Sequence, residues 1–541
     1  MLFNSTEFIF AFFPITLVLF YALATVSRSL AFASLIVASL FFYAWWNPSN
    51  ILVIVPLMVG TYLFAKAIQR LSNNGAPEWQ RAVVLVTGIA LLVLTLGYFK
   101  YLNFFKATLN DVAGTDFVIT QVILPLGISF VTFQKIAFLV DVHGGRVKTF
   151  SFRDYFLFVL FFPQLIAGPI VHYRETMPQF ERHTGRFDAT SFAAGLTLFC
   201  MGLFKKVVMA DGIAAHVSPI YASAASSGGV SLLPAWAAAV GFTLQIYFDF
   251  SGYSDMAIGI ARAFGIKLPT NFDSPLKASS IIDFWLRWHM TLTRFLTAYI
   301  YNPLVLWLTR RRIAKRLPVL GARKTTLGAF LQLLAWPTLL TMLVSGFWHG
   351  AGMLFILWGL VHGLYLVVNH AWRFLVARTV TDKARYERWM RPLGFVLTFV
   401  AVAVAMVLFR SPGGAAARDI LAGMLGLNGV ALPRALVEPL GLAGKVSGFI
   451  SLSDVAAGEF IRTNAWVLAL LAVAVLLPNS MQIMARFEPT LDFKESHRPA
   501  LIPARLAYWA PTLTWAAGVS ALAVIAVIQL GGPSEFLYWQ F

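Results

Sequence analysis

Apolar runs of about twenty residues recur along the whole chain and are separated by short polar, mostly basic connections. A helix needs roughly 20 apolar residues to cross a bilayer, so each run is a candidate spanning or membrane-embedded segment. The pattern predicts an all-α polytopic membrane protein with about 11 to 14 spanning, re-entrant and interfacial helices. The candidate segments are 7–26, 31–46, 50–68, 82–99, 118–140, 154–171, 191–213, 233–262, 284–308, 328–347, 352–372, 392–410, 464–480 and 506–531.

Two of these segments are unsuited to a single straight spanning helix. Segment 154–171 contains Pro163, Gly168 and Pro169, and this composition predicts a broken helix. Non-helical backbone survives at membrane depth only where protein buries it or where it lines a cavity. Segment 284–308 mixes arginines and a histidine with Trp and Leu, which favours a tilted or interfacial helix, or one that faces a polar cavity.

Two short motifs combine proline and glycine inside apolar surroundings. The first is LPLGISF at 124–130, and the second is PQLIAGP at 163–169, which also carries the lone Gln164. Both motifs predict helix kinks. The residues alone allow either a pore lining or a simple bend.

Composition supports a membrane protein and excludes other classes. Hydrophobic residues make up 59% of the 541 residues and charged residues 12%, too few to cover a soluble protein. The net charge of +18 does not indicate nucleic-acid binding, because excess Lys and Arg normally mark cytoplasmic loops and contacts with anionic lipid. The single cysteine, Cys200, argues against disulfides and Cys-based metal clusters. Residues 1–13 lack the features of a signal peptide, so we expect a retained first span.

The distribution of charge predicts an orientation in the membrane. The loop 310–324 carries seven Lys or Arg residues, which lie within 310–316 and 323–324, and it has no acidic residue. We therefore expect it to be cytoplasmic. The loops 373–391 and 481–505 are also rich in basic residues, whereas 411–463 is balanced in charge and rich in Gly, Ala and Ser. Counting spans between these loops places 411–463 and the C-terminus outside. The same count places His349 toward the exterior face.

The stretch SGFWHGAG at 345–352 places one imidazole between two long apolar runs. Both runs, 328–347 and 352–372, predict spanning helices, so His349 lies at or just inside a membrane face. An ionisable group there is costly and is by default a functional candidate. The alternative is a core histidine bonded to a backbone carbonyl. His362 is expected to be structural, although it could lie near the same cavity.

A second histidine, His289, follows two tryptophans in DFWLRWHM. On a helix Trp285, Trp288 and His289 share one face, because they are spaced i, i+3 and i+4. A polar residue between tryptophans suits the wall of a buried polar cavity. The alternative is an aromatic belt at the membrane interface.

Two carboxylates, Asp249 and Asp255, interrupt the apolar segment 233–262 within YFDFSGYSD. An isolated carboxylate is expensive among aromatic residues, so we expect Asp249 to pair with Arg or His or to accept hydroxyl hydrogen bonds. A proton relay or ion site and a structural ion pair are both compatible with this pattern. The sequence contains no phosphate-binding loop, zinc-protease helix or hydrolase elbow motif.

Taken together, these motifs resemble the membrane-bound O-acyltransferase family, and in particular its bacterial branch that O-acetylates exopolysaccharides such as alginate. The resemblance extends over nearly the whole chain. The motifs that carry it are MLFNS at 1–5, 124–130, 163–169, YFDFSGYSD at 247–255, FWLRWH at 284–289 and FWHG at 347–350.

The resemblance implies a ring of helices around a central tunnel, with His349 as the essential catalytic histidine and His289 as the second. Asp249, Asp255, Trp285, Trp288, Trp348 and Gln164 are then tunnel or supporting residues. The C-terminal FxYxxF at 536–541 is similar to an acyl-carrying tyrosine motif associated with D-alanyl transfer to teichoic acids. By that analogy Tyr538 carries the acetyl group transiently.

The implied reaction transfers an acetyl group from cytoplasmic acetyl-CoA, with no bound metal or cofactor. In this hypothesis the basic loop 310–324 attracts the donor phosphates, His349 is the general base, and His289 orients the carbonyl oxygen or stabilises its developing charge. The family also implies a periplasmic SGNH-hydrolase-like acetyltransferase as partner and a polysaccharide as the eventual acceptor, with the chain in the bacterial inner membrane.

Three alternatives remain open at this point. A proton-coupled transporter also has broken helices, buried carboxylates and histidines, but it has no need of acetyl-CoA. A non-catalytic scaffold of an export complex would not depend on His349. The same chemistry could also act on cellulose, peptidoglycan or teichoic acid.

We expect one membrane domain over 1–541. Its parts are N-terminal helices at 1–115, a catalytic core at 116–410, an exterior loop at 411–463, and C-terminal helices with the terminal aromatic motif at 464–541.

Overall fold

The computed structural model shows a helical membrane protein, as the apolar pattern predicts. Eight helices among the described residues are long and apolar enough to span a membrane: Phe8–Val26, Pro48–Asn73, Glu78–Ala113, Ala189–Ser226, Leu327–His349, Met353–Thr379, Lys383–Arg410 and Ala457–Leu476. Two shorter apolar helices are Arg28–Ala44 and Leu513–Ile528. The structure describes residues 1–120, 122–226, 228–321, 325–440, 450–453, 455–491, 493–494 and 507–532.

The described residues of the first half of the chain form twelve α-helices. Several of them continue without interruption from π-helical turns at Phe8–Phe12, Gly97–Tyr101 and Lys205–Ala210. The α-helices are α1 (Phe13–Val26), α2 (Arg28–Ala44), α3 (Ile51–Asn73), α4 (Glu78–Leu96), α5 (Leu102–Ala113), α6 (Ile128–His143), α7 (Phe152–Leu160), α8 (Phe162–Leu165), α9 (Tyr173–Arg182), α10 (Ala189–Phe204), α11 (Asp211–Ser226) and α12 (Leu232–Ala263).

The second half supplies the remaining helices and one small sheet. Its helices are α13 (Ile281–Trp285), α14 (Met290–Leu296), α15 (Asn302–Ala314), α16 (Leu327–Phe330), α17 (Trp336–His349), α18 (Met353–Thr379), α19 (Lys383–Arg410), α20 (Gly414–Met424), α21 (Arg434–Val437), α22 (Ala457–Leu476), α23 (Ser480–Ile483) and α24 (Leu513–Ile528). Strands β1 (Val430–Pro433) and β2 (Ile450–Ser453) pair in parallel, with Val430 opposite Ile450. The region predicted as an exterior loop therefore contains α20, α21 and this two-stranded sheet.

Helix α12 is buried along most of its length and forms the centre of the fold. It packs against α10 at two glycine contacts, where a Cβ on Gly195 would lie 2.5 Å from the Gly259 carbonyl oxygen. A Cβ on Gly202 would lie equally close to the carbonyl oxygen of Gly252. Small residues let membrane helices approach closely, and here they fix α12 against its neighbour.

Three of the predicted segments differ from single helices. Segment 154–171 is broken into α7 and α8, as its prolines predict. Segment 118–140 is helical only from Ile128, because Gly127 adopts a left-handed conformation (φ +68°) just before α6 begins. Segment 284–308 was predicted as one helix, and this was wrong, since the backbone breaks between α13 and α14.

Helices α17 and α18 form a hairpin that carries His349 at its turn. A Cβ on Gly346 would lie 2.2 Å from the Phe355 carbonyl oxygen and 3.0 Å from the Cα of Gly359. At the other end of the hairpin, the Arg378 guanidinium donates to the Thr325 carbonyl oxygen at 3.0 Å. His349 therefore lies at the end of the hairpin opposite the basic connection that precedes α16.

Candidate active site

His349 is the last residue of α17, and its side chain is buried. Its ring centroid lies 4.8 Å from that of Trp348, 5.1 Å from that of Trp358 and 5.3 Å from that of Phe409. The close contact of α17 with α18 brings Trp358 to this position, one residue before Gly359. The histidine is thus enclosed by aromatic rings from three helices.

His289 lies 6.4 Å from His349 between ring centroids, so the structure brings the two predicted site histidines together. His289 is fully buried and has a left-handed backbone conformation, with φ +45°. Such a conformation is costly for a residue with a side chain and persists only where its surroundings enforce it. It lets the chain turn between α13 and α14 and brings the imidazole to its present position.

The predicted shared helix face of Trp285, Trp288 and His289 was therefore wrong, because α13 ends at Trp285. The three side chains have different neighbours. The Trp285 indole nitrogen donates to His362 Nδ1 at 3.3 Å, whereas Trp288 stacks on Phe284 with ring centroids 5.5 Å apart. Both tryptophans support the site through packing, without forming one wall with His289.

A hydrogen-bond network fixes the ring of His289. The backbone N–H of Thr291 donates to Asn271 Oδ1 at 3.3 Å, and this identifies that atom as the amide oxygen. His289 Nδ1 lies 3.0 Å from the same oxygen and must therefore donate to it. In the neutral ring Nε2 then carries the lone pair. The Thr291 hydroxyl also donates to Asn271 Oδ1, at 2.9 Å, and accepts from the backbone N–H of Ile170.

Several nitrogens around His349 are buried and have no hydrogen-bond partner within the part of the chain that the structure describes. They are both ring nitrogens of His349, Nε2 of His289 and of His362, and the indole nitrogens of Trp348 and Trp358. Buried polar atoms are normally satisfied, and exceptions cluster at functional sites. A hydrogen bond between a ring nitrogen and an oxygen measures about 2.9 Å. One substrate oxygen placed between the rings of His349 and His289, whose centroids are 6.4 Å apart, could therefore contact both.

His362 belongs to the same cluster, although the sequence favoured a structural role for it. Its ring is fully buried and lies 4.8 Å from the ring of Trp358, which in turn contacts His349. Because Trp285 donates to Nδ1, the neutral ring of His362 carries its proton on Nε2. The Tyr365 ring follows at 5.8 Å.

A cavity of about 620 Å³ opens beside His349. Its walls include Trp348, Phe130 and the segment 123–129, so the kinked LPLGISF motif lines this cavity. Lys100 is the one lysine or arginine among the lining residues.

A second cavity, of about 1660 Å³, lies between α18, α19 and the segment 279–287. Five basic and two acidic residues line it: Arg287, Arg373, Lys383, Arg391, Lys494, Asp273 and Glu387. Arg287 forms ion pairs of 2.8 Å with Asp273 and Asp283. The other basic groups make this cavity electropositive. Tyr365 also lines it, so the cavity approaches His362.

The two cavities lie toward opposite ends of α18. His349 immediately precedes this helix, whereas Arg373 is twenty residues beyond Met353, which corresponds to about 30 Å at 1.5 Å per residue. The rings of Tyr365, His362, Trp358 and His349 follow one another between the cavities. The histidines therefore lie between two openings on different sides of the fold.

The two predicted aspartates form ion pairs with lysines. Asp249 lies 2.7 Å from Lys206 Nζ, which also contacts Asp211 at 2.6 Å. Asp255 lies 2.6 Å from Lys205 Nζ and accepts from the Ser480 hydroxyl at 2.6 Å. These contacts favour the structural reading, with lysine in place of the expected Arg or His. The ion pairs join α12 to the turn that links α10 and α11.

Gln164 is buried and donates through Nε2 to the Phe158 carbonyl oxygen across the break between α7 and α8. It therefore stabilises the broken helix. Tyr538 lies outside the described residues. Within the described ranges no group of three His, Cys, Asp or Glu side chains is placed to hold a metal ion.

Three contributors to the site were missed in the sequence: Asn271, Lys100 and Trp358. Asn271 is eighteen residues before His289, and Lys100 is 248 residues before Trp348, so neither contact appears in local spacing. The position of Trp358 near His349 could have been predicted, because the two residues are on consecutive helices joined by a short turn. The signal that could have pointed to Lys100 is a lone lysine close to the predicted end of an apolar span.

This arrangement is that of a membrane enzyme with a buried histidine pair, and the chain belongs to the membrane-bound O-acyltransferase family. The model of that family matches residues 144–321, which include His289 but end before His349. The chain is therefore an acyltransferase with multiple membrane passes.

Relatives extend the similarity beyond the matched region. The chain is 39% identical to a peptidoglycan O-acetyltransferase of Helicobacter pylori, over 80% of this chain and 81% of that protein. It is 32% identical to a probable alginate O-acetylase of Pseudomonas aeruginosa, over 100% of both chains. It is 29% identical to a teichoic acid D-alanyltransferase of Streptococcus thermophilus, over 52% of this chain and 68% of that protein. These similarities confirm the predicted family and the predicted enzyme class.

Proposed function

We propose that the chain transfers an acetyl group from acetyl-CoA through the membrane, for O-acetylation of an exopolysaccharide such as alginate. The observation that supports this proposal best is the position of His349 and His289 between two cavities at opposite ends of α18. A transferase that takes donor and acceptor from opposite faces needs such an arrangement. The alginate and peptidoglycan relatives support acetyl as the acyl group.

The electropositive cavity suits the donor. Arg373, Lys383 and Arg391 offer positive charge to the phosphates of CoA, and the cavity has room for a bulky ligand. Several of its lining residues belong to the basic segment 373–391, where α18 ends and α19 begins, and the positive-inside rule assigns this segment to the cytoplasm. The basic loop 310–324 adjoins this face through the Arg378–Thr325 contact, so it can add to the attraction of the donor.

In the proposed reaction an acceptor hydroxyl attacks the carbonyl carbon of the acetyl thioester. His349 takes the hydroxyl proton, the new C–O ester bond forms, and the C–S bond breaks when the tetrahedral intermediate collapses. The proton on His349 then passes to the thiolate of CoA. The buried indole N–H groups of Trp348 and Trp358 can donate to the charged carbonyl oxygen.

The hydrogen bonds of His289 limit the role at the carbonyl oxygen that the sequence predicted for it. Its Nδ1–H is held by Asn271, so the Nε2 of the neutral ring is an acceptor. An acceptor at this position can take a hydrogen bond from another polar hydrogen of the bound substrates, but not from the hydroxyl hydrogen that His349 removes. It cannot donate to the carbonyl oxygen unless the ring is protonated.

The acceptor hydroxyl belongs in this proposal to Tyr538 or to a periplasmic SGNH-hydrolase-like acetyltransferase, which passes the acetyl group to the polysaccharide. In this proposal the chain lies in the bacterial inner membrane, and the cavity beside His349 opens to the periplasmic side. The C-terminus is on the same side. Peptidoglycan and teichoic acid are the alternative polymers, because relatives are named for them.

The test uses purified protein in nanodiscs with acetyl-CoA labelled in the acetyl group. We compare wild type, His349→Ala and Tyr538→Phe, with His370→Ala as the matched control. His370 is on α18 and lines neither cavity. CoA release and label retained on the protein are measured separately.

Wild type and His370→Ala are expected to release CoA, whereas His349→Ala is not. Label that is lost only in Tyr538→Phe would identify this tyrosine as the carrier. Full CoA release by His349→Ala would contradict the assignment. Release only after addition of a periplasmic partner would place the acceptor hydroxyl on that partner.

A further inference from the structure

Lys100 lies far from His349 in sequence but contacts it directly. It is in the π-helical turn Gly97–Tyr101 that follows α4. Its Nζ donates to the carbonyl oxygen of Trp348 at 2.5 Å and lies 3.3 Å from that of His349. These are the last two carbonyl groups of α17, which have no partner within the helix.

The neighbouring residue makes a similar contact. The Tyr101 hydroxyl donates to the carbonyl oxygen of Phe347 at 2.8 Å, and the two rings stack with centroids 4.0 Å apart. Two consecutive side chains therefore hold the last three carbonyl groups of the helix that ends in His349. These hydrogen bonds fix the position of the helix end along the helix axis and its rotation about that axis.

The surroundings of Lys100 differ from those of Lys205 and Lys206. Lys205 and Lys206 form ion pairs of 2.6 to 2.7 Å with aspartates. Lys100 forms no ion pair with a carboxylate among the residues that the structure describes, and its hydrogen bonds there go to backbone oxygens. Its charge therefore does not neutralise a buried acid. It is placed where the partial negative charge of a helix C-terminus is greatest.

We propose that Lys100 is a positioning residue for His349, which holds the catalytic imidazole in place by binding the carbonyl groups at the end of α17. The role deepens the proposed acyl transfer and rests on it. An ammonium group is well suited to this task, because it carries several donors and can bind two carbonyl oxygens at once. Lys100 also lines the cavity beside His349, so the same contact shapes that opening.

The contact explains how His349 keeps its position at the edge of the cavity. Gly350 follows it in an extended conformation, so the helix has no glycine cap with a left-handed backbone. The side chains of Lys100 and Tyr101 replace such a cap. A change of about 1 Å in the position of a reacting group can lower a rate by about a hundredfold.

The test compares Lys100→Met, which keeps the length of the side chain but removes the charge, with Lys100→Arg. Lys66→Met is the matched control, because Lys66 Nζ also donates to a backbone carbonyl, that of Phe150, at 2.9 Å, and does not line the cavity. The rate of CoA release, the KM for acetyl-CoA and the melting temperature are measured for each variant in nanodiscs.

Lys100→Met is expected to lower kcat by at least about tenfold and to change the KM for acetyl-CoA by less than about twofold. Lys100→Arg, which retains a cation and donors, is expected to recover part of the rate. Lys66→Met is expected to match wild type. A normal kcat in Lys100→Met would overturn the proposal.

Hydrogen–deuterium exchange gives a second readout that does not depend on the donor. Faster exchange in the peptide 341–352 of Lys100→Met, with unchanged exchange in 457–476, is expected if Lys100 holds the helix end. Unchanged exchange in 341–352 would overturn the positioning role. If wild type does not use acetyl-CoA, the proposed donor is wrong, and the exchange result still decides the role of Lys100.

Discussion

Gly346 lies where α17 packs against α18, one turn before His349, the histidine proposed as catalytic. Gly346→Ala tests whether this helix packing sets the position of His349. The residue faces Phe355 and Gly359 on α18. The added methyl group has no space between the helices, because its nearest neighbours are backbone atoms. The two helices must therefore move apart or slide.

The size of the effect follows from the contact distances. The alanine Cβ would lie 2.2 Å from the Phe355 carbonyl oxygen, whereas an ordinary contact begins near 3.4 Å. The helix must move by roughly 1 Å, and overpacking of this kind costs about 1–3 kcal/mol. A displacement of about 1 Å at His349 is expected to lower the rate of acyl transfer by about a hundredfold.

The assay measures CoA release and the melting temperature in nanodiscs for Gly346→Ala and for Gly363→Ala. Gly363 is in the same helix pair, but its added Cβ would come no closer than 3.2 Å to a neighbour, with a Leu339 methyl at 3.2 Å, the Met342 Cβ at 3.3 Å and the Leu339 Cα at 3.4 Å. Gly363→Ala is expected to remain close to wild type. A rate within about twofold of wild type and an unchanged melting temperature in Gly346→Ala would refute the argument.

Other contacts of the site give further predictions. Asn271→Leu should lower kcat at least about tenfold, because the ring of His289 loses the acceptor of its Nδ1–H, whereas Asn271→Asp should keep most activity; steady-state kinetics of both variants measure this. Lys206→Met should destabilise the fold by about 3–5 kcal/mol, because Asp249 and Asp211 both lose their lysine, and Asp249→Ala should destabilise it less, because Lys206 keeps Asp211, as thermal unfolding of the variants would show. Arg373→Gln with Arg391→Gln should raise the KM for acetyl-CoA about tenfold at low salt and less at high salt. Equal effects of the two Asn271 variants, full stability of Lys206→Met, or a KM for acetyl-CoA that does not change with salt would contradict these accounts.

The sequence predicted the features that depend on local apolar pattern and chain order. The long apolar runs around His349 gave both helices of its hairpin, and the prolines of 154–171 predicted the break between α7 and α8. The charge pattern also predicted that His349 is remote from the basic loop. Each of these features depends on residues that are near one another in sequence.

The features that were not predicted depend on long-range contacts. The run FWLRWHM has the periodicity of a helix, but the interactions of Asn271 with His289 and with the first residues of α14 accompany a left-handed backbone at His289. An isolated carboxylate at Asp249 required a partner, yet only the packing of α12 could identify Lys206. Contacts between distant segments override local periodicity in these places.

The central claim is that an acetyl group passes from CoA to an acceptor hydroxyl between openings on opposite faces of the membrane, with His349 as the general base. The most direct measurement uses sealed proteoliposomes of known orientation, with labelled acetyl-CoA on one side at a time and the acceptor protein on the other. CoA release should require acetyl-CoA on the side of Arg373 and should be lost in His349→Ala but not in His370→Ala. Equal release from both sides, or release that persists in His349→Ala, would contradict the account.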